Sequence, residues 1–69
     1  MATITVETGY GMVTVTDVMV DDGYGNLNDG VDIEYADGEL ICEVSGYSTD
    51  DLENDINQIE DLINTYSNN

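Results

Sequence analysis

Residues 30–44, GVDIEYADGELICEV, consist of two short runs of alternating apolar and polar residues on either side of Asp37-Gly38. An Asp-Gly pair between two such runs is typical of a two-residue type I′ hairpin turn. The alternation places one side of each run against a core and the other side in solvent. The stretch therefore predicts an antiparallel hairpin with strands at 31–35 and 40–44.

The register of this hairpin sets acidic side chains against each other on its exposed face. A two-residue turn gives three apolar pairs on the buried face: Tyr35 with Leu40, Ile33 with Cys42, and Val31 with Val44. On the exposed face it places Asp32 opposite Glu43 and Glu34 opposite Ile41. Like charges directly opposite each other destabilise a sheet, and a Lys at either position would relieve the repulsion. This chain has no Lys, Arg or His with which to do so.

The charge balance is the most unusual property of the sequence. The 69 residues include 16 Asp and Glu, and the net charge is −16. An average chain of this length would carry about eight basic residues. Self-repulsion from such a charge destabilises the compact state. It also excludes direct binding of nucleic acid or of an anionic membrane surface, because no side chain can neutralise a phosphate.

Length and composition indicate one folded domain, 1–69, in a reducing cytoplasm. The hydrophobic fraction of 41% is that of a globular protein rather than of a disordered one. We expect no membrane span and no signal peptide, because no apolar run approaches roughly 18 residues and no charged n-region precedes an apolar h-region. The single Cys42 excludes an internal disulfide framework and a cysteine-based metal cluster, so we expect no cofactor.

Two further strands precede the hairpin. Residues 2–7, ATITVE, alternate cleanly, and residues 12–20, MVTVTDVMV, are rich in β-branched side chains. Asp17 interrupts the apolar face of the second strand, which predicts a bulge or bend near Thr16–Asp17. Residues 21–30, DDGYGNLNDG, have the composition of a loop.

The C-terminal segment predicts one amphipathic helix. Ser48 suits the N-cap position, with Asp50 and Asp51 in the first turn, where carboxylates interact favourably with the helix dipole. Apolar residues then recur with helical spacing: Leu52, Ile56, Ile59, Ile63 and Tyr66, with Leu62 widening the stripe. The predicted fold is therefore α+β, a four-stranded, mostly antiparallel sheet (ββββα) with one C-terminal helix packed on one face.

No motif indicates an enzyme. A catalytic carboxylate pair requires one group with a raised pKa, usually from burial, whereas the acids of this chain fall on exposed faces or in loops. Cys42 has no His and no positive neighbour that would lower its pKa. We therefore expect no enzymatic activity.

Calcium binding is the second interpretation. One segment carries many hard oxygen ligands: Asp21, Asp22, Asn26, Asn28, Asp29 and Asp32. Their spacing matches neither the EF-hand loop nor the nonapeptide calcium repeat. A calcium-binding or salt-adapted structural module stays open, and a designed, supercharged chain would have the same composition.

Acidic side chains and two tyrosines form the candidate partner-binding set. Its members are Asp32, Glu34, Asp37, Glu39 and Glu43 on the hairpin, Asp51, Glu53 and Asp55 on the helix, and Tyr24 and Tyr47 in loops. Residues two apart on a strand lie about 6.6–6.8 Å apart, about twice the axial spacing of roughly 3.4 Å between charges along one DNA strand. Tyrosines among carboxylates suit an Arg-rich protein surface.

In length and charge the whole chain resembles the small acidic DNA-mimic inhibitors that phages make, in particular anti-CRISPR proteins. The resemblance involves no shared motif, so it assigns no role to any single residue. It implies an inhibitor that occupies the basic, PAM-reading DNA-binding surface of a CRISPR–Cas effector complex in the host cytoplasm. Tyr24, Tyr47 and Ile41 would add uncharged contacts. An exposed Ile41 would also offer a homodimer contact, which the net charge opposes.

Overall fold

An open antiparallel sheet, covered on one face by two helices, makes up the computed structural model, which describes residues 2–67. The elements are β1 (Thr3–Thr8), β2 (Gly11–Asp21), β3 (Leu27–Tyr35), β4 (Leu40–Ser45), α1 (Thr49–Leu52) and α2 (Ile56–Tyr66). The strands lie in the order β1-β2-β3-β4, and each neighbouring pair is antiparallel. The predicted α+β fold is confirmed.

The core lies between the sheet and the helices. In β1 the predicted alternation holds, and Ile4 and Val6 pack against the core beside Val15 and Val13 of β2. The fully buried side chains come from both layers: Val13, Val15, Val31 and Ile33 from the sheet, and Leu52, Ile59 and Ile63 from the helices. Each side chain of this kind contributes about 1.5–3 kcal/mol of burial free energy. The helix layer is thus what makes this short sheet stable.

The β3–β4 hairpin keeps the predicted register only in the half that is remote from its turn. Val31 faces Val44, Asp32 faces Glu43 and Ile33 faces Cys42, as the sequence predicts. The predicted type I′ turn is wrong. It would require a positive φ at Asp37, yet within residues 2–67 only glycines, Gly38 among them, have one.

A three-residue loop at 36–38 closes the hairpin instead. The Gly38 N–H donates to the Tyr35 carbonyl (2.9 Å), and the Tyr35 N–H donates to the Glu39 carbonyl (2.8 Å). The register then shifts, so that Glu34 faces Leu40 and the extra residue, Ile41, is buried with 7% of its surface exposed. The predicted exposure of Ile41 is therefore wrong, and this side chain offers no contact to a partner or to a second copy.

Strands β2 and β3 are longer and more regular than predicted. Their pairing runs without a register shift from Val13–Tyr35 to Asp21–Leu27, so the predicted bulge near Thr16–Asp17 is absent. The predicted loop at 21–30 shrinks because Leu27 already belongs to β3. Gly30 makes the close packing of three strands feasible, since a Cβ there would lie 2.6 Å from the Val44 carbonyl oxygen.

The predicted single helix is divided into two. Ser48 is the N-cap of α1, as predicted, and forms a reciprocal capping box with Asp51. The chain then leaves the helix after Leu52, and Asp55 begins α2 by accepting a hydrogen bond from the Gln58 N–H (3.1 Å).

The buried face of α2 differs from the predicted stripe in two positions. Ile56 and Tyr66 are 45% and 54% exposed, whereas Ile59, Leu62 and Ile63 are buried as predicted. Ile56 is the first residue of α2 and lies at the solvent end of the helix. The apolar stripe therefore begins one turn later than the spacing suggests.

Candidate functional site

The face of the sheet opposite the helices, called here the outer face, is covered by no element of residues 2–67. One row of directly opposed residues crosses all four strands: Thr3, Thr16, Asp32 and Glu43. The Thr3 hydroxyl donates to that of Thr16 (3.4 Å). The β1–β2 half of the row is therefore neutral, and the β3–β4 half is anionic.

The Asp32–Glu43 pair is the electrostatic centre of the outer face. The pKa of the Glu43 carboxyl is raised, first because its protonated form shares a hydrogen bond with Asp32 and second because of the negative charge of Asp32. Asp32 is half-buried, and its Oδ1 is shielded from solvent without a hydrogen-bond partner. The predicted opposition of these two acids is therefore present, and no positive side chain relieves it.

The neighbouring row extends this anionic area. Glu34 is flanked by Thr14 on β2 and by Leu40 on β4. Glu34 lies on the same side of β3 as Asp32, because residues two apart on a strand share a face. Leu40 is 53% exposed, so an apolar side chain lies directly beside the carboxylate.

No protein-family model matches the chain, and no curated protein and no solved structure matches it.

The remaining acids of the candidate set lie away from the outer face. Asp37 and Glu39 are at the exposed hairpin tip, where the Asp37 carboxylate accepts the Glu39 N–H (2.9 Å). Asp51 and Asp55 belong to the helix layer and act as caps, and Glu53 is exposed between the helices. The structure thus brings together Asp32, Glu34 and Glu43 and separates them from the helical acids.

The two tyrosines of the set differ in environment. Tyr24, in the β2–β3 loop, is 89% exposed and contacts little of the protein. Tyr47 is half-buried and packs against the core between β4 and α1. Only Tyr24 is therefore a free loop side chain, whereas Tyr47 forms part of a surface.

Asp17 is the residue whose role sequence reasoning missed. It stays on the helix side of β2, where its Oδ1 accepts the Thr49 N–H (2.8 Å) and its Oδ2 accepts the Thr49 hydroxyl (3.1 Å). The backbone bond from Thr49 is the largest cause that lowers the pKa of Asp17. The sequence showed Asp17 only as an acid on an apolar strand face. In the structure, Asp17 is the residue at which α1 attaches to the sheet.

The acidic loop before β3 is organised by its own backbone. The Asp21 carboxylate accepts the Gly23 N–H (2.8 Å), and the Asp22 carboxylate accepts the Tyr24 N–H (2.8 Å). These are Asx turns, and the bond from Tyr24 is the largest cause that lowers the pKa of Asp22. In residues 2–67 no three His, Cys, Asp or Glu side chains come together as a metal site.

Cys42 is a buried, free cysteine. Burial, and then the charge of Asp32, raises the pKa of the Cys42 thiol, so this group is held in the unreactive, protonated form. No helix of the described segment is long and apolar enough to cross a membrane.

Proposed function

We propose that this protein is a stoichiometric inhibitor that mimics DNA and blocks the basic, PAM-reading DNA-binding surface of a CRISPR–Cas effector complex. The observation that carries the proposal is the unrelieved acidic cluster on the outer face. Asp32 and Glu43 face each other there, and Glu34 follows on the same side. A chain selected only for stability would place a Lys at one of these positions.

The chemistry of this face suits the side chains that grip DNA. Carboxylates accept charge-assisted hydrogen bonds from Arg and Lys much as phosphate oxygens do, and Arg binds them in bidentate fashion. The net charge of −16 accelerates encounter with a basic surface, and this steering weakens at high salt. Asp32 raises the pKa of Glu43. A cation from the partner would lower that pKa again, so that Glu43 is more fully ionised in the complex.

Uncharged contacts supply the selectivity that charge alone lacks. Leu40 is exposed beside Glu34, and the β1–β2 half of the outer face carries threonines. An apolar contact next to an ion pair distinguishes one basic surface from another. The mimic is therefore expected to prefer one target complex over histones or other basic proteins.

The test reverses the charge of the cluster. The variant Asp32→Lys/Glu34→Lys/Glu43→Lys should abolish inhibition of PAM-containing DNA binding in a mobility-shift panel of purified Cas9 and multi-subunit CRISPR complexes. The matched control, Asp50→Lys/Glu53→Lys/Asp61→Lys, changes the net charge equally on the helix layer and should retain inhibition. Circular dichroism checks that both variants fold.

The outcome can reject the proposal in two ways. If the wild-type protein leaves DNA binding unchanged throughout the panel, then it is not an inhibitor of this class. If both triple variants lose inhibition to the same extent, then net charge rather than the outer face is responsible. The neutral variant Asp32→Asn/Glu34→Gln/Glu43→Gln replaces the lysine variant if the latter does not fold.

A further inference from the structure

A groove surrounds Tyr47 at the end of the sheet where β2 ends and β3 begins. Two adjoining cavities, of about 380 and 560 Å³, share Asp29, Tyr47 and Ser48 in their walls. The first also reaches Met19 and the second reaches Asp51. Both volumes fall in the range of about 300–1,000 Å³ that is typical of ligand sites. We call this feature the Tyr47 groove.

The walls of the groove combine apolar surface with carboxylates. Val18, Met19 and Tyr47 line the first cavity together with Asp17 and Asp29. Asp17 stays ionised there, because the Thr49 N–H stabilises its charged form and lowers its pKa. A ligand that enters would therefore meet an aromatic ring and negative charge at the same place.

No side chain of the protein supplies the complementary charge. The chain contains no Lys, Arg or His, so no side chain of its own can fill the groove with a cation. A ligand complementary to these walls would carry both an apolar or planar portion and a positive group. Arginine meets both conditions, since its guanidinium stacks on aromatic rings and pairs with carboxylates in bidentate fashion.

The groove and the acidic cluster lie on opposite sides of the sheet, because Asp17 and Asp29 share the helix side with Val31. Gly30 lines the first cavity and Ser45 the second, and these two residues face each other across β3 and β4. They lie two positions along their strands from Asp32 and Glu43, about 6.6–6.8 Å away, so the groove is at the end of the sheet nearest to this pair. A partner that docks on the outer face and extends around this end of the sheet would place a side chain in the groove.

We propose that the Tyr47 groove binds an arginine side chain of the basic partner protein. This inference rests on the proposed function, because it assigns the groove to the same partner. The outer face would engage several cations at its surface, and the groove would take one arginine as an anchor. Such a buried Arg–aromatic contact is the kind that dominates binding energy in protein interfaces.

The test uses the peptide Ac-Gly-Arg-Gly-NH₂ as the probe in a ¹⁵N–¹H NMR titration at low salt. Saturable shifts should appear at Asp29, Gly46, Tyr47 and Ser48. The lysine peptide should bind more weakly, and the citrulline peptide, which is planar but neutral, should cause no shifts. Equal shifts with the arginine and lysine peptides, or shifts spread over acids throughout the chain, would overturn the proposal.

Two variants locate the site. Asp29→Asn should weaken binding of the arginine peptide roughly two- to fivefold, as expected for the loss of one exposed ion pair. The matched control Asp61→Asn removes the same charge from the exposed side of α2 and should leave the affinity unchanged. Tyr47→Leu should also weaken binding. Tyr47 packs on the core, so Tyr47→Leu could fail to fold. In that case the result for Asp29→Asn alone tests the site.

The peptide titration and the inhibition assay fail independently. Absence of a groove-specific response, with inhibition still lost on reversal of Asp32, Glu34 and Glu43, rejects the arginine anchor and leaves the proposed function intact. Inhibition that survives that reversal rejects the proposed function, whatever the peptide does. Equal weakening by Asp29→Asn and Asp61→Asn rejects the groove in favour of general charge.

Discussion

The opposed carboxylates of Asp32 and Glu43 lower the stability of the folded protein at neutral pH. The pKa of Glu43 is raised in the folded protein from its ordinary value of 4.5, chiefly through Asp32. The ionised form of Glu43 is therefore less favourable in the folded state than in the unfolded one. This penalty is present above the raised pKa and disappears as the pH falls toward 4.5. The pair is a local defect of stability that coincides with the proposed binding surface.

Replacing Asp32 by Asn should stabilise the protein at neutral pH. The amide can donate a hydrogen bond to Glu43, and the like-charge repulsion disappears. We expect the melting temperature of Asp32→Asn to exceed that of wild type by a few degrees at pH 7, and the two values to converge near pH 4. Differential scanning calorimetry across this range measures the effect.

The control for this prediction is Asp50→Asn, which removes one charge from the exposed first turn of α1. If both variants gain the same stability at pH 7, then general repulsion rather than the pair explains it. A carboxyl ¹³C titration supplies the direct readout. The pKa of Glu43 should fall in Asp32→Asn and stay raised in Asp50→Asn.

At the scale of elements, the attachment of α1 to the sheet depends on Asp17 and Thr49. Thr49 is buried, with 2% of its surface exposed, and both its N–H and its hydroxyl donate to the Asp17 carboxylate. Thr49→Val removes the hydroxyl donor at nearly constant volume. We expect a loss of about 1.5 kcal/mol in the free energy of unfolding, which corresponds to a melting temperature lower by about 6–12 °C.

Thr65→Val is the matched control for this change, because Thr65 is exposed on α2. The same substitution there should alter stability by less than about 0.5 kcal/mol. Urea unfolding measures both variants. A Thr49→Val protein as stable as wild type would show that the hydroxyl contact does not hold α1 on the sheet.

The elements were predictable wherever two independent signals agreed. The register of Val31 with Val44 and of Ile33 with Cys42 follows from two matched alternations, and the structure has it. The turn rested on the Asp37-Gly38 dipeptide alone, and a loop one residue longer with a bulge at Ile41 satisfies the same dipeptide. The Asp37-Gly38 dipeptide determines that a turn forms here, whereas burial of Ile41 in the core determines the length of the loop.

The candidate site was predictable only in part, for a related reason. The opposition of Asp32 and Glu43 follows from strand register and was visible in the sequence. The Tyr47 groove was not, because it joins residues from β2, β3 and the β4–α1 connection. Asp17 gave a signal as an acid on an apolar face, but a bulge was an equally simple explanation until Thr49 was placed beside it.

At the scale of the whole molecule, the absence of cationic side chains changes the usual dependence of stability on pH. Acidification normally breaks ion pairs, but here no side-chain ion pair can form. Protonation therefore relieves repulsion, at Glu43 above all. The opposite effect comes from Asp17 and Asp22, whose lowered pKa values stabilise the fold above 3.8 and lose that contribution as the pH falls through them. Maximum stability should lie at acidic rather than neutral pH.

Salt should stabilise the molecule by screening, without a site for calcium. The Debye length shortens from about 10 Å at 0.1 M to about 3 Å at 1 M salt, so the melting temperature should rise with NaCl. The acids of the 21–26 loop accept backbone N–H groups, and residues 2–67 contain no three-carboxylate cluster. We therefore expect CaCl₂ and MgCl₂ at matched ionic strength to raise the melting temperature equally. MgCl₂ is the control because it has the same valence but demands stricter octahedral geometry.

A calcium-specific gain that saturates at low millimolar concentration, and that is lost in Asp21→Asn/Asp22→Asn, would establish a metal site. The acidic segment before β3 would then belong to a calcium-binding module, and the negative charge would serve the metal rather than a basic partner.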